Sequence, residues 1–518
     1  MKLGIKTFTK KFLIITATAI LISFPCCQRQ KAEIPPDTEA ITIAGLTGHM
    51  NVLTSDEMEG RLTGSPGYKK AADYAAEKFT SFGLEPGWTD GDKKSFLQPV
   101  PFIRYHFGLN NTLTIRKDGK TKKYARRQED FELFYAGEGN ENIPLGSPIF
   151  VGFGIHEPEI GWDDYAGLDV SGKIVILMMG FSPKNSDIQM PMRVRRKYSD
   201  RIKGDLLRFS AAIEKNAAAI IVVPDKGFSD NWDNIMSQRK RFNFIAAERY
   251  GLLRQKEYPV PVVVVNKNLA GKIFKKKDFN PITGRGNYST FVMDGIEVGL
   301  TVDASKEHFN CYNVIAVLPG TEPELEDEYI TVAAHLDHLG KNAFIIYRGA
   351  NDDASGCVLI LEVAQALAQN PNRRPVMFTL FTAEEAGHYG SLHFLEHPPV
   401  PLEQIALNIN IEQIGSKHRN VKGIWGIGPP SQRELLFSAH KKVEDIELSF
   451  GGIDSQVRVI QGSDTWSFYL KKVPAILLGS GGFPEHHSPG DTIDLIDFDH
   501  LYKATLLVYE YILEIANK

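Results

Sequence analysis

The chain has 518 residues, a formal charge of −4, and 43% hydrophobic, 24% charged and 10% aromatic side chains. This is ordinary globular composition with enough length for two or three domains, and it excludes fibrous, collagen-like and wholly disordered chains. The slight acidic excess argues against nucleic-acid binding, which needs a clear basic surplus, and four cysteines are too few for a disulfide framework.

The amino terminus reads as an export leader. Lys2, Lys6, Lys10 and Lys11 precede an apolar run over residues 12–24, too short to span a bilayer comfortably and suited to a signal-peptide core. Cys26 and Cys27 follow at once, where a bacterial lipoprotein signal places its lipidated cysteine, although Phe24 and Pro25 are unusual residues in that setting. Removing residues 1–26 takes away four lysines and no acid, which moves the charge from −4 to −8. Cys311 and Cys357 then remain, and both are expected to be buried as small apolar side chains. Residues 28–40 are polar with a Pro-Pro step and read as a tether.

From residue 43 to 83 apolar positions recur at helical spacing, with Tyr68, Ala71, Ala72, Tyr74, Ala75, Phe79 and Phe82 on one stripe ending at Gly83. The connector Glu59-Gly60-Arg61-Leu62-Thr63-Gly64-Ser65-Pro66-Gly67 interrupts the pattern and cannot be helical. Residues 102–298 change to short β-type runs, such as 147–153, 173–179, 217–223 and 260–265, and are expected to form an inserted β-rich domain. The charged stretch 193–208 reads as a solvated face.

Beyond residue 310 strand and helix patterns alternate. Strands are expected at 329–334, 376–381, 405–411 and 473–478, with a helix at 357–368. Such alternation implies an α/β fold with a mainly parallel sheet flanked by helices, which places its ligands at the carboxyl ends of the strands. Each expected strand is followed promptly by residues that bind metal or move protons. These are His335-Leu336-Asp337-His338, then Asp352-Asp353 before the helix, Glu384-Glu385, Glu412, and His486-His487. One such group would mean little, but acids crowded at the strand ends of one sheet need compensation, and divalent cations supply it. Two histidines among several carboxylates, without a cysteine cluster, favour zinc over manganese or cobalt. Five ligands exceed one open tetrahedral site, but with one carboxylate bridging they provide three ligands to each of two ions.

The series His335-Leu336-Asp337, Gly349-Ala350-Asn351-Asp352-Asp353-Ala354-Ser355-Gly356, Thr382-Ala383-Glu384-Glu385, Asn410-Ile411-Glu412 and His487-Ser488-Pro489-Gly490-Asp491-Thr492 resembles the di-zinc co-catalytic metallopeptidases. That family includes bacterial leucine-type aminopeptidases, glutamate carboxypeptidases and, more distantly, glutaminyl cyclases. The resemblance implies a zinc-exopeptidase fold over residues 41–101 plus 299–518. Residues 102–298 resemble a protease-associated domain, through Val151-Gly152-Phe153-Gly154-Ile155 and Gly172-Lys173-Ile174-Val175. Residues 1–27 remain the leader and 28–40 the tether.

Carried over by position, the resemblance implies that Asp352 bridges two Zn2+ ions, with His335 and Glu412 on one and Glu385 and His487 on the other. Glu384 would be the general base, and Asp337 would orient His335 through its second ring nitrogen. The Asp352-Asp353 peptide would be cis, with Asp353 structural. Two positions depart from the common pattern: Glu412 stands where Asp is frequent, and His486 stands where a Tyr often holds the oxyanion. His486 could donate the same hydrogen bond or have no role. His338, His388, His393, His397 and Trp466 are given structural places, Asp491 reads as a cap, and Ser463-Asp464 falls in a segment that lines the pocket in relatives.

The expected function is an exported, periplasmic or cell-surface aminopeptidase acting on peptide substrates through a two-metal-activated water. Hydrolysis of acidic peptides in the glutamate-carboxypeptidase manner is the alternative. Glutaminyl cyclase is disfavoured because that branch keeps one catalytic metal, and a non-catalytic binding protein of the transferrin-receptor type because such proteins lose ligands.

Overall fold

A computed structural model describes residues 40–518 apart from 127–129, 181–189, 199–200, 248–257, 275–278, 281–284, 287 and 419–422. The leader, the tether up to residue 39, and Cys26 and Cys27 lie outside the described residues.

Nine strands make the path of the central sheet: β1 (Leu97–Phe107), β2 (Phe244–Ala246), β3 (Ala304–Leu318), β4 (Tyr329–His335), β5 (Val376–Phe381), β6 (Ile405–Glu412), β7 (Gly423–Gly428), β8 (Glu447–Gly452) and β9 (Ala475–Gly479). Their spatial order is β2-β1-β3-β5-β4-β6-β9-β7-β8, and the short strand Glu85–Pro86 adds to β3. The middle strands β5, β4, β6 and β9 are parallel. Antiparallel pairings join β3 to β5, β1 to β3 and β2 to β1 on one side, and β7 to β9 on the other. The α/β architecture with a mixed sheet, parallel in its middle and flanked by helices, is therefore present. Parallel neighbours need long crossovers, and the helices Ser355–Gln369 and Tyr389–Glu396 provide them between β4 and β5 and between β5 and β6. Every residue of β5 is buried, as expected of a strand covered on both faces.

The helical stripe near the start of the described chain resolves into Ile43–Leu53 and Pro66–Ser81. Thr42 caps the first by accepting from the Gly45 amide, and Ser65 caps the second by accepting from Tyr68, with Pro66 at the first helical position. The connector between them reaches the strand ends. Arg61 is fully buried, and its guanidinium donates to four carbonyls: Leu53 (2.8 Å), Leu336 (2.8 Å), Arg348 (2.7 Å) and Gly349 (2.9 Å). It thereby ties the first amino-terminal helix to both ends of the loop that follows β4. Arg61→Met leaves four buried acceptors unmatched, so the melting temperature should fall by about 5–10 °C. A differential scanning melt unchanged within error would refute that tie.

Between β1 and β3 lies a second unit with its own apolar core, built on a six-stranded mixed sheet and a four-stranded antiparallel sheet. The unit is less purely β than its sequence suggests, since it also contains the helices Arg201–Glu214 and Trp232–Arg241. The reason lies in its apolar runs: Ile174–Met178, Ala219–Val223 and Pro261–Val265 pair in parallel, and their crossovers are those helices. The charged stretch is not uniformly solvated either, because Arg208 is buried with Nη1 2.6 Å from Asp205. The boundary drawn at residue 102 falls inside β1, which runs unbroken through the central sheet. From the other direction, β2 leaves the second unit to pair with β1 at the sheet edge.

Candidate active site

The strand ends deliver the candidate ligands to one place. His335 is the last residue of β4, Glu412 the last of β6, and Glu384-Glu385 follow β5. His486 and His487 lie in the loop after β9, and Asp352 lies in the irregular turn that opens the helix Ser355–Gln369. On one side, His335 Nε2 is 3.2 Å from Asp352 Oδ1 and 3.3 Å from Glu412 Oε1. On the other, His487 Nε2 is 2.8 Å from Glu385 Oε2 and 3.3 Å from Asp352 Oδ2. All five residues therefore meet, and Asp352 turns one oxygen to each group.

Several atoms there are buried without a hydrogen-bond partner, among them His335 Nε2, Asp352 Oδ2, Glu385 Oε1 and Glu412 Oε2. Unmatched buried polar atoms are costly, and convergent nitrogen and carboxylate oxygen atoms are the donor set of zinc. The residues present fit divalent cations. In the metal-free chain, the imidazoles take over the compensation. Burial opposes charge on His487, yet Asp352 and Glu385 hold its pKa at about 10. Burial and the Asp352 charge oppose ionisation of Glu385, but His338 and His487 keep it at about 2. Burial drives Glu412 well above the usual carboxylate range. The protons so held are those a cation displaces on binding.

Glu384 stands at the edge of the cluster, with Oε2 3.9 Å from His335 Nε2 and Oε1 3.1 Å from His388 Nε2. Asp337 differs from expectation. Its backbone carbonyl, not its carboxylate, lies 3.0 Å from His335 Nδ1, while the nearer carboxylate oxygen is 3.9 Å away. That carboxylate instead accepts from the Glu384 amide at 3.0 Å and from the Thr63 hydroxyl at 3.2 Å. Asp337 thus serves both residues, one through its main chain and one through its side chain. Burial pushes its pKa to about 8.

The neighbouring residues hold the turn. Asp491 is more than a cap of its own loop, since its oxygens accept from the amides of Asn351 (2.8 Å) and Asp352 (3.1 Å). The Asp352-Asp353 peptide is cis. Asp353 Oδ1 accepts from Gly356 and Gln413, each at 3.1 Å, but its other oxygen is unmatched, and it groups with His335 and Glu412 as a possible ligand. Ala383, His388, Gln413 and His487 adopt left-handed backbone conformations, a concentration of strain in and beside the site. Both cysteines are buried, with Cys357 donating to the His335 carbonyl and Cys311 accepting from Thr382.

Two residues at the site, His338 and His388, were given only structural places from the sequence, and a third, Asp464, only a place in a pocket-lining segment. His338 is completely buried, with Nδ1 2.8 Å from Glu385 Oε1 and 3.7 Å from Asp352 Oδ2. Its only sequence signal was its place three residues after His335. His388 reaches Glu384 from one turn further on, a spacing that a helix-like turn makes productive. Asp464, raised to about 6 by burial and then by the Glu384 charge, lies within electrostatic reach of the same carboxylate. His393 and His397 pack ring against ring, 4.5 Å apart and tilted by 38°, as structural residues do. His486 Nε2 lies 3.2 Å from Asp352 Oδ2, with its ring stacked on His487 at 3.8 Å. A cavity of about 360 Å3 opens beside Glu385 and His487, and its far wall comes from the second unit.

The family model of peptidase family M28 matches residues 313–512. The M28 segment carries every metal-type residue from His335 to His487. A probable leucine aminopeptidase 2 from Aspergillus oryzae is 33% identical over 122 residues, 23% of this chain and 23% of that protein. The chain spans less than two-thirds of the length of the curated relatives it matches, 62% for a probable leucine aminopeptidase 1 of Trichophyton verrucosum. In fold, the M28 segment and the second unit together are similar to an aminopeptidase from Aneurinibacillus sp. strain AM-1. The TM-score is 0.56 at 20% identity, over 93% of this chain and 95% of that one.

Proposed function

We propose that this chain is an exported zinc aminopeptidase that removes amino-terminal residues from peptides with two zinc ions bound. The observation that carries the reading is the pair of side-chain groups sharing Asp352, with Glu384 beside them. His335, Asp352 and Glu412 would hold one ion, and Asp352, Glu385 and His487 the other, with His338 adjoining the second. Bound zinc would lower the pKa of water and polarise the scissile carbonyl. Glu384 takes the proton from the attacking water and passes it to the leaving amine. The Asp337 carboxylate fixes the Glu384 main chain, and His388 orients the Glu384 carboxylate. His486 is exposed enough to turn from Asp352 and donate to the developing oxyanion.

Leucine p-nitroanilide should be cleaved, the activity should vanish with chelator, and zinc should restore it. No turnover across amino-acid types, with zinc bound, would sink the aminopeptidase reading. One observation favours the acidic-peptide alternative: Arg239 and Arg241 line the cavity. Cleavage of acyl-glutamate peptides with none of aminoacyl amides would decide for it. For His486, replacement by Phe is expected to lower kcat by about 10²-fold with little change in KM. Unchanged kcat/KM would remove it from the chemistry. Export and attachment through a lipidated Cys27 or Cys26 are supported by the lysines and apolar run ahead of those cysteines.

A further inference from the structure

The far wall of the cavity is cationic. Arg239 and Arg241, at the end of the helix Trp232–Arg241, line it together with Ile235, Phe242, Phe244 and Tyr347, and its one acidic lining residue is Glu385 on the metal side. Both guanidiniums are held in place. Arg241 lies over the Tyr347 ring at 4.2 Å, while Arg239 lies over Phe134 at 4.6 Å and donates to the Phe134 carbonyl at 2.9 Å. Among the described residues neither has a carboxylate partner, although elsewhere on the surface Arg116, Arg348 and Arg374 each pair with one. Two guanidiniums held in place without a carboxylate partner, on the wall of a mainly polar cavity, form an anion site, and their planar fork suits a carboxylate.

We propose that Arg241, supported by Arg239, binds a carboxylate on the leaving-group side of the substrate and so makes this enzyme selective for short peptides that carry one there. The inference rests on the aminopeptidase reading above and adds to it that the peptide beyond the cleaved residue enters the cavity. A volume of about 360 Å3 suits a short fragment and not a folded chain. The carboxylate can be the carboxyl terminus of a dipeptide or tripeptide, or an acidic side chain.

The test compares kcat/KM for Leu-Gly-Gly against Leu-Gly-Gly-amide, and for Leu-Glu-amide against Leu-Gln-amide, in the zinc-loaded full chain. The charged member of at least one pair should be favoured by about 10- to 100-fold, chiefly through KM. The first pair reports the carboxyl terminus and the second an acidic side chain. In Arg241→Gln the ratio should fall towards one, and Arg241→Lys should keep part of it. Because each ratio is taken within one protein, partial loss of folded enzyme cancels. Calorimetric binding of the same pairs to zinc-loaded Glu384→Gln gives the preference without turnover. Ratios near one in both assays, or ratios that Arg241→Gln leaves intact, overturn the inference. If amides are not hydrolysed but the binding preference stands, the aminopeptidase reading fails and the carboxylate site remains.

Discussion

Replacing Glu384 by Gln is expected to lower kcat by about 10³-fold while leaving the zinc content unchanged. The separation follows from position. Glu384 is 3.9 Å from His335 Nε2 and paired with His388, whereas the metal-type contacts run through Asp352, Glu385, Glu412, His335 and His487. Gln keeps the size and one oxygen of the side chain but cannot accept and return a proton. The Asp337 carboxylate grips the Glu384 amide, not its side chain, so the substitution leaves the loop after β5 in place. KM should move little, because the base acts on the water and the leaving amine. Metal analysis beside steady-state kinetics checks both halves: loss of zinc would make Glu384 a ligand, and retained kcat would remove it from the chemistry.

The second large effect belongs to Asp352. Asp352→Ala should lose at least one zinc ion per chain and drop activity by about 10³-fold or more, since its two oxygens are shared between both groups. The metal-free melting temperature should stay within a few degrees of the parent. Asp491 holds the amides of Asn351 and Asp352 whatever the side chain at 352, so the turn survives its removal. Replacing Glu412 alone should weaken one site and spare the other, because it contacts His335 and not His487. Full zinc occupancy in Asp352→Ala would disprove the bridging assignment.

How far the sequence was legible depended on whether a signal was local. The apolar runs ending at Phe381 and Ile411 announced buried strands, and the acids and histidines after them announced the site, because a strand and its own end are neighbours in the chain. Asp337 shows the limit. Its place beside His335 was legible, but whether its carbonyl or its carboxylate faces the imidazole is decided by the local backbone path, and the two distances are 3.0 and 3.9 Å. His338 and His388 were discounted because a lone histidine near a motif is usually structural. What makes these two different is Glu385 and Glu384, brought to them by the course of the loop after β5. Arg239 and Arg241 lie far from every motif in sequence, and only the return of their helix to the central sheet carries them to Glu385. The helices of the second unit were missed for a related reason: parallel pairing, not local propensity, demands them.

That return is made by β2. Three residues of the second unit, Phe244, Ile245 and Ala246, hydrogen-bond along β1 and cover what would otherwise be a bare sheet edge. The second unit is therefore not a detachable appendage. A shortened enzyme made by excising it would present an unsatisfied row of β1 amides and carbonyls to other copies of itself, inviting edge-to-edge aggregation. Coupling of this kind also leaves little freedom for the two units to evolve apart: any insertion that shifts β2 by one residue would turn its side chains to the opposite face and displace the cavity wall next to it.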